Sequence, residues 1–238
     1  SILLEEKNAT SNLLIEPRET EMNIPFMKPG LGGRELAYIE QAINNGHISS
    51  SGPFSRKVTD LLAQSIGASD VLLTTSCTDA LEMSAMLLNL TSEDTVLVPS
   101  FTFTSTALAF ARQGANIRFC DIESTTFGID PAEVERHLDD SVKAVVPVHY
   151  AGVGCDINGL TSALSGYPDV AIIEDNAHGL FGSYEDKPLG SFGRFSTLSF
   201  HETKNFICGE GGALVLNDPT DIDRAHTIFD KGTNRREF

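Results

Sequence analysis

The hydrophobic positions of this chain switch between two periods. "VLLT" (71–74), "TVLVP" (95–99), "NIRFCDI" (116–122), "KAVVPVHY" (143–150) and "VAIIED" (170–175) are short apolar or alternating runs and read as strands. Between them "CTDALEMSAMLLNL" (77–90), "TSTALAFARQG" (104–114), "DPAEVERHL" (130–138) and "INGLTSALSG" (157–166) read as helices. Asp130 is placed as an N-cap with Pro131 at the first helical position, a strong start signal, and Gly114 stops its helix. Two more strands, "RFSTLSF" (194–200) and "GALVLN" (212–217), precede a last helix, "PTDIDRAHTIFDKG" (219–232). Upstream, "GRELAYIEQAINNG" carries Leu36, Ile39 and Ile43 at helical spacing and ends at Gly46. "IPFMKPG" before it reads as an extended entry segment, and residues 1–23 as a loosely ordered N-terminal extension. The pattern assigns no element to residues 47–70.

Strand–helix alternation with short connections predicts an α/β fold, a mostly parallel sheet covered by helices on both faces, in three α/β/α layers. In such sheets ligands bind outside the carboxyl ends of the strands. The search for chemistry therefore concentrates on residues that follow each predicted strand.

Composition narrows the classes. The chain is 41% hydrophobic over 238 residues, ample for one sizeable core. Its formal net charge of -16 disfavours phosphate backbones, so nucleic acid is not an expected partner. Cys77, Cys120, Cys155 and Cys208 are irregularly spaced, with no CxxC pair, which argues against a disulfide framework or a metal site and fits a reducing, cytoplasmic setting. "SILLEEKNAT" lacks the layout of a signal peptide. No run approaches the roughly 18 apolar residues of a membrane span, so no membrane partner is expected.

Four strand ends carry candidate chemistry. After 71–74, Ser76, Cys77 and Thr78 open a helix, where free N–H groups and the dipole suit a phosphate. Taken alone, the same residues read first as plain capping by Ser and Thr, and a cysteine there is also a candidate nucleophile, given His149, His178 or His201 as a base. Phe103 in "PSFTF" is either a core aromatic or a ring on which a planar ligand stacks. Asp175 ends a buried strand with His178 three residues on; the carboxylate either faces a loop surface or requires a partner. Lys204 follows Ser199 and His201 and precedes a glycine turn that lets backbone pass close to a ligand. An amine, a carboxylate and a phosphate-binding helix end are the parts of a pyridoxal phosphate site. No single part is specific; the ordered set is.

On "PSFTFTSTALAF", "VPVHYAG", "IIEDNAHG", "GSFG", "SFHETKN" and "GEGGALVLND" the chain resembles the DegT/DnrJ/EryC1/StrS sugar aminotransferases, over residues 24–238. The resemblance implies the large domain of the aspartate-aminotransferase-like fold, with pyridoxal phosphate as cofactor. It implies Lys204 as the catalytic lysine that holds the cofactor covalently, Asp175 on the pyridinium nitrogen and His178 near the ring hydroxyl. It further implies Phe103 stacked on the ring, and Cys77, Thr78 and Ser199 on the phosphate. Glu210, in the glycine turn, is a feature shared with the family. A nucleotide-sugar substrate, an amino-acid donor and a homodimer follow from the same resemblance. Related sugar dehydratases carry His where this chain has Lys204, which favours transamination. The family continues well beyond Phe238, so the C-terminal small domain is expected to be missing, which leaves a cofactor-binding-only fragment as the alternative.

Overall fold

The computed structural model describes residues 24–234; the N-terminal extension 1–23 lies outside the described residues. The elements follow in chain order. They are α1 (Glu35–Asn44), α2 (Pro53–Ile66), β1 (Asp70–Thr74), α3 (Cys77–Leu87), β2 (Thr95–Pro99), α4 (Ser105–Ala111), β3 (Asn116–Cys120) and α5 (Pro131–His137). Next come β4 (Val142–Val145), α6 (Ile157–Ala163), β5 (Ala171–Asp175), the two-residue strands β6 (Ser183–Tyr184) and β7 (Lys187–Pro188), β8 (Phe195–Ser199), β9 (Gly212–Leu216) and α7 (Ile222–Phe229).

Seven strands form one sheet in the order β1-β9-β8-β5-β4-β2-β3. β9 pairs antiparallel with both β1 and β8, while β8, β5, β4, β2 and β3 pair in parallel. β9 is therefore the one reversed strand, and the carboxyl ends of the other six share an edge.

Side-chain alternation builds the three layers. On one face Leu72, Val96, Val98, Ile173, Leu214 and Leu216 pack with Leu81, Phe110 and Ala225 of α3, α4 and α7. The opposite face is covered in two patches. Leu97 and Val145 meet Val134, Ile157 and Leu160 of α5 and α6, and Val71, Leu198 and Val215 meet Leu62 and Ile66 of α2. The α/β/α expectation holds.

Three local expectations need correction. α2 lies in the stretch given no element; it starts on Pro53 at the first helical position and stops on Gly67 at φ 80. β4 ends at Val145 rather than residue 150, because Pro147 has no N–H for the ladder. The chain stays near the sheet, however, with Val148 bridging Asp175. The last predicted helix divides into a 3₁₀ turn, Pro219–Asp221, and α7. α1 forms as predicted, but its apolar stripe is bare: Leu36 is 81% and Ile43 61% exposed.

Candidate active site

A crevice of about 660 Å³ opens at the carboxyl edge, and its walls come from the ends of β1, β2, β4, β5 and β8. Cys77, Thr78, Phe103, Asp175, His178, Ser199 and Lys204 all line it, as does Glu210. Residues spread over about half the chain thus meet in one place because successive parallel strands end there.

Ser76 caps α3, its hydroxyl accepting the N–H of Asp79 at 3.1 Å. The first turn beyond it, at Cys77 and Thr78, opens into the crevice, and early helical N–H groups lack intrahelical acceptors. Gly212 of β9 passes directly beneath this turn: a Cβ there would stand 2.5 Å from the Cys77 nitrogen. Only glycine permits that approach. Thr78 donates to Ser105 at 2.8 Å and the Cys77 thiol to Thr197 at 3.4 Å. Burial, with the nearby Asp175 charge, pushes the Cys77 thiol far above its ordinary range. That is the opposite of an activated nucleophile and removes the support for a cysteine hydrolase.

Asp175 ends β5 only 5% exposed. Its Oδ2 accepts from the buried Thr106 hydroxyl at 2.7 Å, and Oδ1 accepts the Ala177 N–H at 3.3 Å. Among the described residues no lysine, arginine or histidine pairs with it. Of its two readings, the loop-surface one fails; a buried carboxylate without a cationic partner remains. Thr106, on α4, was not legible as a site residue. A threonine inside an apolar helix gives no pattern that distinguishes it.

His178 lies three residues past the β5 end and is half-buried. Its Nδ1 accepts the Ala151 N–H at 3.1 Å. Burial lowers its pKa, and the Lys204 charge adds to this against the opposing Asp175. Lys204 is held by a short loop. Its N–H donates to the His201 carbonyl at 2.9 Å, while Phe200 pairs with Gly211 and Glu202 with Gly209 across the loop base. Among the described residues the Lys204 amine forms no ion pair. Glu210 reaches His201 at 3.4 Å. Phe103 is 74% exposed, so it is not a core aromatic. Phe101 and Tyr150, tilted at 45° with their centroids 4.6 Å apart, add a wall that the motifs did not single out, and Tyr150 meets His178 edge-on at 5.3 Å. Among the described residues no group of three or more His, Cys, Asp or Glu is arranged to hold a metal ion. None of the described helices is long and apolar enough to cross a membrane.

Fold and crevice together define a class: an α/β/α domain that gathers a lysine, a buried unpaired carboxylate and an open helix N-terminus at the carboxyl edge of its sheet. Within that class the chain belongs to the DegT/DnrJ/EryC1/StrS aminotransferase family, whose profile matches residues 29–238. It is 30% identical over 212 residues to the spore coat polysaccharide biosynthesis protein SpsC of Bacillus subtilis, covering 89% of this chain and 54% of SpsC. Among solved structures it is similar to Spr1654 of Streptococcus pneumoniae, assigned as a sugar aminotransferase and solved in PLP, PMP and apo forms. With the PMP form it shares 27% identity and a TM-score of 0.79, over 87% of this chain and 55% of that one. An Escherichia coli GDP-4-keto-6-deoxy-D-mannose-3-dehydratase, at 21% identity and TM-score 0.79 over 87% and 54%, shares the fold. The domain accordingly has the large-domain fold of the pyridoxal-phosphate-dependent aminotransferases. The chain spans about half the length of these relatives.

Proposed function

We propose that residues 24–238 are the cofactor-binding large domain of a pyridoxal-phosphate-dependent sugar aminotransferase. The observation that carries this reading is the convergence of Lys204 and the buried, cation-free Asp175 in one crevice with the α3 N-terminus. These residues fit the cofactor by charge. Asp175 supplies a desolvated carboxylate for a protonated ring nitrogen. The first turn of α3, with Thr78 and Ser199, supplies N–H and hydroxyl donors for a phosphate dianion. Phe103 offers an apolar face to the ring.

When bound, pyridoxal phosphate acts as the electron sink that lets an amino group leave one carbon and join another. The chain's own part is proton handling and orientation. Lys204 would hold the cofactor covalently and, as a free amine, would accept a proton at its Nζ and return it, as base and then acid. Asp175 would keep a cofactor's ring nitrogen protonated, with the Thr106 hydroxyl orienting the carboxylate.

The proposed substrate is a nucleotide-linked 4-keto-6-deoxysugar, with L-glutamate as amino donor. The finest form of the reading is dTDP-4-dehydro-6-deoxyglucose aminated to dTDP-4-amino-4,6-dideoxygalactose. Sugar chemistry for a cell-surface polysaccharide is supported by the likeness to SpsC, and a cytoplasmic homodimer is the assembly proposed. The test is a half-reaction: cofactor-loaded protein with glutamate, then a panel of nucleotide 4-ketosugars. Conversion of glutamate to its 2-oxo acid followed by an aminated sugar supports the reading. Release of ammonia without amino transfer would make it a dehydratase. Cofactor capture with no turnover would make the 238-residue chain a binding fragment only.

A further inference from the structure

Neighbouring strand residues face opposite sides of a sheet. Asp175 faces the crevice, so Glu174 faces the other layer. It is completely buried and takes no part in the chemistry above. Its carboxylate accepts the N–H groups of Gly190, Phe192 and Gly193, each at 2.7 Å, and meets Nε2 of His149 at 2.9 Å. Four donors replace the water that a buried carboxylate would otherwise lose. His149 is equally buried. Its Nδ1 accepts the Cys155 N–H at 3.2 Å. That nitrogen therefore carries no hydrogen, and Nε2 carries it and donates to Glu174. The contact is a hydrogen bond from a neutral ring, not an ion pair.

The ring also staples its own loop. It ties residue 149 to residue 155, while the His149 N–H donates to the Asp175 carbonyl at 3.1 Å and the Gly152 N–H to the His149 carbonyl at 3.1 Å. Inside the stapled loop Ala151 and Gly152 adopt φ 52 and φ 81. A non-glycine residue in the left-handed region persists where surrounding contacts hold it there. The Ala151 N–H donates to His178 Nδ1. By the same reasoning the hydrogen of the His178 ring sits on Nε2, left as the free donor of a side chain that lines the crevice.

The geometry points to Glu174 and His149 as positioning residues: by stapling the loop from His149 to Cys155 they hold the Ala151 amide on His178 and fix His178 as the Nε2–H tautomer, a hydrogen-bond donor toward the crevice. The purpose of that donor rests on the cofactor reading, since it suits a negatively charged ring oxygen; the tautomer itself does not. The test is ¹⁵N–¹H spectroscopy of labelled histidine side chains in the 238-residue chain without added cofactor. The expected wild-type spectrum has bare Nδ1 and protonated Nε2 at both His149 and His178. In His149→Gln, checked for cooperative melting, His178 is expected to divide between two tautomers. A wild-type His178 with its hydrogen on Nδ1 overturns the proposal, as does a single unchanged tautomer in folded His149→Gln. Should His149→Gln not fold, Glu174→Asp takes its place with the same two outcomes, since it keeps the charge but withdraws the oxygens. Recording the spectra without cofactor keeps this result separate from the proposed function, which a cofactor titration tests.

Discussion

At the residue scale the proposed function divides the work between Asp175, which holds charge in a buried place, and Lys204, which keeps an amine available. Asp175→Asn removes the charge while keeping the shape and an acceptor for Thr106. Turnover is expected to fall by about 10²-fold or more with the chain still folded, read as kcat beside a melting curve. Thr106→Val strips the buried carboxylate of its side-chain donor and is expected to lower stability by about 1–3 kcal/mol in denaturant titration. Cys77→Ser preserves a donor to Thr197 and should retain activity; a dead enzyme there would revive the nucleophile reading. For His178 the sign of the pH effect follows from its lowered pKa. The unfolded chain takes up this proton near the ordinary 6.5, and the folded chain only below that. Stability is therefore unaffected well above 6.5, falls as the pH drops through it, and levels off below the folded pKa. His178→Gln should flatten that acid slope in melting curves recorded across the range. The crevice-lining candidates were legible because chemistry-bearing types follow apolar runs: Asp175 after "AIIE", Lys204 before "GEGG". Thr106, Phe101 and Tyr150 were not, since their roles arise from packing between segments distant in sequence.

At the scale of elements, the crevice depends on backbones that approach one another closely. β9 runs against the start of α3 through Gly212, and Gly193 presses on the Ile172 carbonyl with 2.5 Å left for any Cβ. Gly212→Ala must displace the α3 turn or β9. The expected result is a loss of about 1–3 kcal/mol and weaker cofactor binding, measured by denaturation and by titration. A neutral Gly211→Ala control would not serve, because Cys208 crowds that position at 2.7 Å. Strand order is invisible to periodicity: nothing in "GALVLN" announces that β9 alone runs backwards between β1 and β8. β2, by contrast, was read at its observed bounds, because "TVLVP" is buried throughout and proline ends it. α2 carries its own signals in the sequence. Pro53, then Val58, Leu61, Leu62 and Ile66 at helical spacing, then Gly67, form a start, a stripe and a stop.

At the scale of the whole molecule, an apolar face stands exposed among the described residues. Leu36, Ile39 and Ile43 of α1, with Ile24, Phe26 and Leu31 before it, are all more than half exposed. Apolar patches of this kind mark contact surfaces or association. Because the chain spans about half of its relatives' length, the expected behaviour is self-association in size exclusion, relieved by replacing Leu36 and Ile43 with lysine. A monomer with the native α1 would remove the homodimer reading for this chain. Its α/β/α class followed from alternation alone, whereas the bare stripe on α1 could not be read, since spacing reports that a face is apolar and not what covers it.

The central claim is that Lys204 is the residue that takes the cofactor. The direct measurement is to add pyridoxal phosphate to the wild-type chain and to Lys204→Ala, reduce both with borohydride, and map the adduct by peptide mass. The account predicts one covalent adduct, on the peptide carrying Lys204, together with a visible absorbance band that the variant lacks. An adduct on another lysine, or none in a folded wild-type chain, would contradict it.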